Sequence, residues 1–160
     1  MQKAIAILPE LPSGTGVADR LTLPFELRQK SRLVAKLDSG QQIALSLPRG
    51  HILRDGALLQ TEEGAVIQVR SAAEELSVVA SADATELARA AYHLGNRHVP
   101  LQIQPGTLSY QHDHVLDDML RGLGLQPSFA EAPFEPEAGA YGRTGAHHHH
   151  HGHDEHDHHH

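Results

Sequence analysis

The hydrophobic pattern of this 160-residue chain changes once along its length, near Ser71, and this change constrains the fold more than any other feature. Residues 1–70 contain short runs in which apolar and polar residues partly alternate, which is typical of strands. Turns that contain glycine separate these runs. The predicted strands cover 17–23, 32–37, 43–47 and 65–70. No helical period is visible in this part, so a small all-β sandwich or barrel is expected over 1–70.

After Ser71 the apolar residues adopt a helical period in two places. They recur at helical spacing between 87 and 94 and again between 116 and 123. Asp83 and Asp113 precede these stretches, and aspartate is a favoured N-cap residue. One helix is therefore predicted over 84–94, with Gly95 as its C′ residue, and a second is predicted to end at Gly122 or Gly124.

Four strands are predicted around these helices, over 75–80, 99–104, 107–111 and 127–134. The resulting order β-α-β-β-α-β is that of the ferredoxin-like fold. From about Glu135 the composition turns to Pro, Gly, Ala, Glu and His, which cannot form a packed core. The expected fold class is thus α+β, with an all-β domain over 1–70, a ferredoxin-like domain over 71–140 and a disordered tail over 141–160.

Composition excludes several classes of function. The chain has no cysteine, so any metal must be bound by imidazole and carboxylate groups rather than by thiolates. A net charge of −7, no tryptophan and 4% aromatic residues argue against nucleic acid as a partner. The N-terminal apolar run is too short for a secretory signal, and no apolar stretch is long enough to span a membrane. A cytoplasmic location is therefore expected.

Histidine is distributed very unevenly. Of 15 histidines, ten lie within 147–160, a run interrupted by Gly152, Asp154, Glu155 and Asp157. Neutral imidazole binds Ni²⁺, Cu²⁺, Zn²⁺ and Co²⁺, so this tail is predicted to bind metal. A solubilising tail and a purification tag are the alternative interpretations, although a tag is usually uninterrupted. The ten candidate ligands are His147, His148, His149, His150, His151, His153, His156, His158, His159 and His160.

Three histidines outside the tail are further candidate ligands. His112 and His114, two positions apart at a strand end, would point to the same face of an extended segment and could chelate one ion. Such a pair also occurs by chance, so spacing leaves both interpretations open. His98 lies in a loop, where a two-fold dimer could bring two copies together, although spacing alone gives no reason to expect this. His51 and His93 are interpreted as structural or surface residues.

The sequence contains none of the common catalytic motifs. It has no nucleophile elbow, no glycine-rich phosphate loop and no zinc-protease motif. Asp117 and Asp118 are interpreted as a solvated helix face near the positive end of the helix dipole. An enzyme is therefore the least favoured class.

Several segments together resemble the UreE family of urease accessory proteins. They are YHLGNRHVPLQ at 92–102, DHVLDDML at 113–120, PFEPEAGAY at 133–141 and LPRG at 47–50, followed by the histidine-rich tail. The resemblance covers the whole chain. It implies a cytoplasmic nickel metallochaperone that delivers Ni²⁺ to apo-urease together with the other accessory proteins, including the GTPase UreG.

The resemblance also assigns roles to the domains and residues. It implies a first domain that binds a peptide or partner, and a second domain that dimerises and binds the metal. The family's interfacial nickel ligand falls on His98, paired with His98 of the partner subunit, and an additional metal-binding pair falls on His112 and His114. The alternative is a nickel storage or buffering protein without specific delivery. The choice of nickel over copper, zinc or cobalt rests on the resemblance, since affinity order alone does not select it.

Overall fold

The computed structural model describes residues 1–139, which form two separate β-sheets. The first sheet has six strands in the order β2-β6-β5-β1-β4-β3. Two of its pairings, β1 with β4 and β2 with β6, are parallel, and the others are antiparallel. A single helical turn, α1 (Phe25–Arg28), follows β2. The strands are β1 (Gln2–Leu8), β2 (Val17–Leu23), β3 (Arg32–Lys36), β4 (Gln42–Ser46), β5 (Leu58–Thr61) and β6 (Val66–Ser71).

The period-two pattern is confirmed in β2, β3 and β4, whereas in β6 the adjacent residues Val66 and Ile67 are both buried. In β4, for example, Ile43 and Leu45 are buried, whereas Gln42 is exposed, because successive side chains of a strand point to opposite faces. Strands β1 and β5 were not predicted. Strand β1 lies between β5 and β4 near the middle of the sheet, and its sequence is an apolar run rather than an alternation. The four-residue α1 is too short to show a helical period.

The second sheet has four strands in the order β10-β7-β9-β8, all antiparallel. Its elements follow the chain as β-α-β-β-α-β, so the ferredoxin-like domain and the α+β class are confirmed. Leucines of both helices pack with Val79, Leu108 and Tyr110 of the sheet. The elements are β7 (Ala73–Ala80), α2 (Ala84–Asn96), β8 (Gln102–Gln104), β9 (Thr107–Gln111), α3 (His114–Gly122) and β10 (Ser128–Pro133).

Both predicted N-caps are present. The side chain of Asp83 accepts hydrogen bonds from the first turn of α2, and that of Asp113 does the same for α3. The predicted strand over 99–104 is wrong in its first half. Val99 donates its N–H back to the end of α2, and Pro100 has no N–H to donate to a neighbouring strand, so β8 begins only at Gln102.

Arg28, the last residue of α1, connects the two sheets. Its side chain is fully buried and donates to the carbonyl oxygens of Leu23 and Leu53, at 3.1 and 3.0 Å. It also donates to the carboxylate of Glu135 at 2.5 Å and to the carbonyl oxygen of Phe134. The last two partners follow β10, so one guanidinium binds the first domain to the end of the second.

An apolar contact accompanies this ion pair. The rings of Phe25 and Phe134 pack edge to face with their centroids 5.8 Å apart, and buried Leu76 of β7 joins them. On the polar side, Arg54 donates to the carbonyl oxygen of Pro136 at 2.7 Å and also approaches Glu135. The segment 134–136 is therefore attached to the first domain through both apolar and charged groups.

The predicted disordered tail over 141–160 lies outside the described residues. Within residues 1–139, no helix combines the length and the apolar character needed to cross a membrane.

Replacing Arg28 with methionine is expected to lower the free energy of unfolding by about 3 kcal/mol, because the buried carbonyls lose their donor and Glu135 loses its closest cation. Urea denaturation measures this change. The matched control is Arg121→Met, which removes an exposed arginine paired with Asp118 and should change the stability by less than about 0.5 kcal/mol. Equal losses for the two variants would contradict the role of Arg28.

Candidate metal site

His98 occupies an unusual backbone position at the end of α2. The helix runs through Gly95, so the prediction that Gly95 is the C′ residue is wrong. His98 itself is the C′ residue, with φ at 58°, and it is the one non-glycine residue with positive φ within residues 1–139. Its N–H donates to the carbonyl of Gly95 at 3.0 Å, and the N–H of Val99 donates to that of Leu94 at 3.3 Å. These two bonds define a Schellman motif.

Helix α3 ends in the same motif, but with glycine at the C′ position. Gly124 has φ at 87°, its N–H donates to Arg121, and the N–H of Leu125 donates to Leu120. A side chain at such a left-handed position costs roughly 1–2 kcal/mol, which glycine avoids. The chain therefore carries backbone strain at His98 that it avoids at Gly124. Strain of this kind is concentrated at functional sites, which motivates a functional role for His98.

The position of this motif is set by an apolar contact. Leu94 and Val99 belong to the same core cluster, and a hydrophobic contact between these two positions commonly accompanies a Schellman motif. The spacing of Leu94 and Val99, rather than the glycine, was the sequence signal for the end of α2.

The imidazole of His98 is exposed, as is the ring of Tyr92 on the preceding turns of α2. Tyr92 packs edge to face against half-buried His93, with 5.3 Å between ring centroids. Both side chains are therefore open to a ligand or to another protein surface.

His112 belongs to a hydrogen-bonded group that sequence reasoning missed. Its Nδ1 lies 3.0 Å from the hydroxyl of Ser77 and 3.4 Å from the carboxylate of Asp117. The hydroxyl of Tyr110 donates to the same carboxylate at 2.5 Å. Burial raises the pKa of Tyr110, and the hydrogen bond to Asp117 raises it further, so the phenol stays protonated and remains a donor.

Asp117 is buried, so the interpretation of Asp117 as part of a solvated helix face is wrong. Its neighbour Asp118 is exposed, as expected. The two carboxylates are adjacent in sequence, but only that of Asp117 faces the sheet, where it accepts the hydrogen bond from Tyr110 of β9. The helical positions of Leu116 and Leu120, which are also buried, could have indicated that Asp117 lies at the edge of the buried face.

His114 is exposed and is the first residue of α3, on the other side of the capping residue Asp113. The extended conformation assumed for a His112–His114 chelate therefore ends at Asp113. Within residues 1–139, no three His, Asp or Glu side chains are gathered in a position to hold a metal ion. His51 is exposed in the first domain, and the ten tail histidines lie outside the described residues.

The segment that leads to the tail passes beside the chain that follows His98. The N–H of Glu137 donates to the carbonyl of Leu101 at 2.8 Å, and the N–H of Glu135 donates to the side chain of Gln102 at 2.8 Å. Glu137, the root of the tail, is therefore held next to Leu101, which directly precedes β8 and lies three residues after His98.

Comparison with known proteins gives matches over almost the whole chain. Residues 4–72 match the N-terminal domain and residues 74–160 the C-terminal domain of the UreE urease accessory protein family. A urease accessory protein UreE from Alkalilimnicola ehrlichii is 56% identical over 138 residues, 86% of this chain and 85% of the relative. One from Pseudomonas putida is 59% identical, covering 81% and 78% of the two chains. One from Escherichia coli O157:H7 is 56% identical, covering 82% and 85%.

The two Schellman motifs predict opposite responses to substitution. His98→Gly should be more stable than His98→Ala by about 1 kcal/mol in urea denaturation, because glycine relieves the left-handed strain. Gly124→Ala should be destabilised by a similar amount. A Cβ at Gly124 would meet no atom within 4 Å, so the loss would come from the backbone alone. Equal stability of the glycine and alanine variants at position 98 would show that His98 is unstrained.

Proposed function

Since this chain belongs to the UreE family of urease accessory proteins, we propose that it is a nickel metallochaperone that binds Ni²⁺ through His98 and donates it during assembly of the urease metallocentre. The observation that carries this proposal is the left-handed backbone of His98. Glycine would fit that position at lower energy, so the imidazole is retained at a cost in stability, as expected of a functional group.

A homodimer would complete the site. One imidazole supplies one donor, whereas protein metal sites use several. A two-fold axis near His98 would place His98 of the partner subunit beside it and double the donors. Tyr92 is exposed on α2, the helix that ends just before His98, and it is an aromatic side chain of the kind that dimer interfaces bury. On this proposal the domain over 71–140 dimerises and binds metal, while the domain over 1–70 contacts protein partners.

An exposed site suits delivery. A ligand set at a surface can exchange donors with an acceptor protein, whereas a closed and buried site would retain its ion. The partners we propose are apo-urease and the other accessory proteins, including the GTPase UreG, in the cytoplasm. The same imidazoles would also bind Cu²⁺, Zn²⁺ or Co²⁺, so the choice of nickel follows from the family rather than from the donors.

His112, His114 and the tail histidines are proposed as accessory ligands. The root of the tail at Glu137 is hydrogen-bonded to Leu101, three residues after His98. The chain from Glu137 to His147 can span up to about 35 Å when extended, so tail histidines can reach the His98 site. By itself a histidine-rich tail would also suit a nickel buffer. Membership of an accessory-protein family favours delivery.

His98→Ala is expected to abolish the tightest nickel-binding step, which should have a stoichiometry of one ion per two chains, while weaker steps from the tail persist. The fold should be retained because the lost imidazole is exposed. Calorimetric titration with Ni²⁺ measures the steps, and circular dichroism checks the fold. The matched control is His51→Ala, an exposed histidine of the first domain, which should leave the tight step unchanged. A tight step of unchanged affinity in His98→Ala would refute the assignment.

A further inference from the structure

We infer that Asp117 is a positioning residue, which holds the imidazole of His112 in one tautomer so that Nε2 is the atom that binds metal. This inference rests on the proposed function, because it concerns an accessory nickel ligand. It assigns a task to a buried carboxylate that the His98 site does not use.

The contacts of Nδ1 decide the tautomer. Nδ1 of His112 lies 3.4 Å from one oxygen of the Asp117 carboxylate and 3.0 Å from the Ser77 hydroxyl. A carboxylate only accepts hydrogen bonds, so an unprotonated Nδ1 would place two lone pairs against each other. A proton on Nδ1 is attracted by the carboxylate instead, and the Ser77 hydroxyl, which can donate its own proton to Tyr110, accepts the hydrogen bond from Nδ1. The neutral ring then carries its free lone pair on Nε2, on the far side from Asp117.

The carboxylate is itself held in place. Tyr110 donates to its other oxygen at 2.5 Å, and the main chain of Asp117 lies in the first turns of α3, where the helix dipole stabilises negative charge. Because Tyr110 lies on β9 and Ser77 lies on β7, the group connects two strands to a helix. Asp117 therefore has little freedom to move away from His112.

Two further contacts fix His112, one through its main chain and one through its ring. Its main-chain N–H donates to the carbonyl of Glu75 at 3.0 Å, which continues the pairing between β7 and β9. The ring of Phe129 on β10 packs edge to face against the imidazole, with 5.4 Å between centroids. Even so, the side chain of His112 is 40% exposed, so a metal ion can reach it.

This arrangement is a variant of the carboxylate–histidine–metal relay, in which Nδ1 is hydrogen-bonded to Ser77 and the Asp117 carboxylate lies 3.4 Å away. A metal-binding histidine commonly donates its second ring N–H to a carboxylate, which fixes its orientation and makes the metal-binding nitrogen more basic. The two histidines around Asp113 therefore differ: His112 is an oriented ligand, and His114 begins a helix with its side chain exposed.

The test is a long-range ¹H–¹⁵N NMR spectrum of the full chain labelled at histidine, recorded at about pH 8, where free imidazole is neutral. The signal absent from His112→Ala assigns the ring. The unmodified chain should show a protonated Nδ1 and an unprotonated Nε2. In Asp117→Asn the amide can donate to Nδ1, so the proton should shift to Nε2. The matched control, Asp118→Asn, alters the adjacent exposed carboxylate and should leave the tautomer unchanged.

Titration with Ni²⁺ alone, followed by paramagnetic broadening of the His112 signal, gives the second readout. Asp117→Asn should weaken binding at His112 by about 10- to 100-fold, and broadening at His98 should not change. A proton on Nε2 in the unmodified chain would overturn the inference without any variant. Equal broadening of His112 in the unmodified chain and in Asp117→Asn would also overturn it. Absence of broadening at His98 would instead refute the proposed function.

Discussion

The buried guanidinium of Arg28 is the interaction on which the arrangement of the two domains depends. A buried charged group needs hydrogen-bond partners in place of water, and here each nitrogen of the guanidinium donates to a carbonyl oxygen or to the carboxylate of Glu135. Its partners come from the end of β2, the loop before β5 and the segment after β10, so these three parts of the chain must lie together for the charge to be satisfied. Because desolvation offsets much of the attraction, the intact ion pair adds little net stability, but its buried partners are left unsatisfied in any other arrangement of the domains.

That arrangement extends to the candidate metal site. The segment held by Arg28 continues to Glu137, whose N–H is bonded to Leu101, close in sequence to His98. Glu137, which precedes the histidine-rich tail, is thus hydrogen-bonded to the segment that directly follows His98. Strain at His98 is tolerated because Leu94 and Val99 are anchored in the core on either side of it.

Local signals predicted much of the second domain. Asp83 and Asp113 cap helices whose buried positions follow the helical period, and β9 has the predicted bounds. The missed features depend on residues distant in sequence. The position of strand β1 depends on β4 and β5 on either side of it. Two of the four partners of Arg28, Phe134 and Glu135, lie more than a hundred residues later in the chain.

The candidate site was predicted in the same partial way. Motif resemblance selected His98, His112 and His114, but it did not indicate the left-handed conformation of His98, which follows from the core positions of Leu94 and Val99. The burial of Asp117 depends on Tyr110 across the sheet, so a pattern of two adjacent aspartates could not distinguish it from exposed Asp118. Side-chain roles that arise from tertiary contacts need the structure.

The most direct test of nickel delivery is the activation of apo-urease, together with its other accessory proteins, by limiting Ni²⁺ bound to this chain in the presence of a competing chelator. The unmodified chain should give more active urease than the same amount of free Ni²⁺, and His98→Ala should lose that advantage. Activation by His98→Ala equal to that by the unmodified chain would contradict delivery through His98. A decrease in activation by the unmodified chain would indicate a nickel buffer instead.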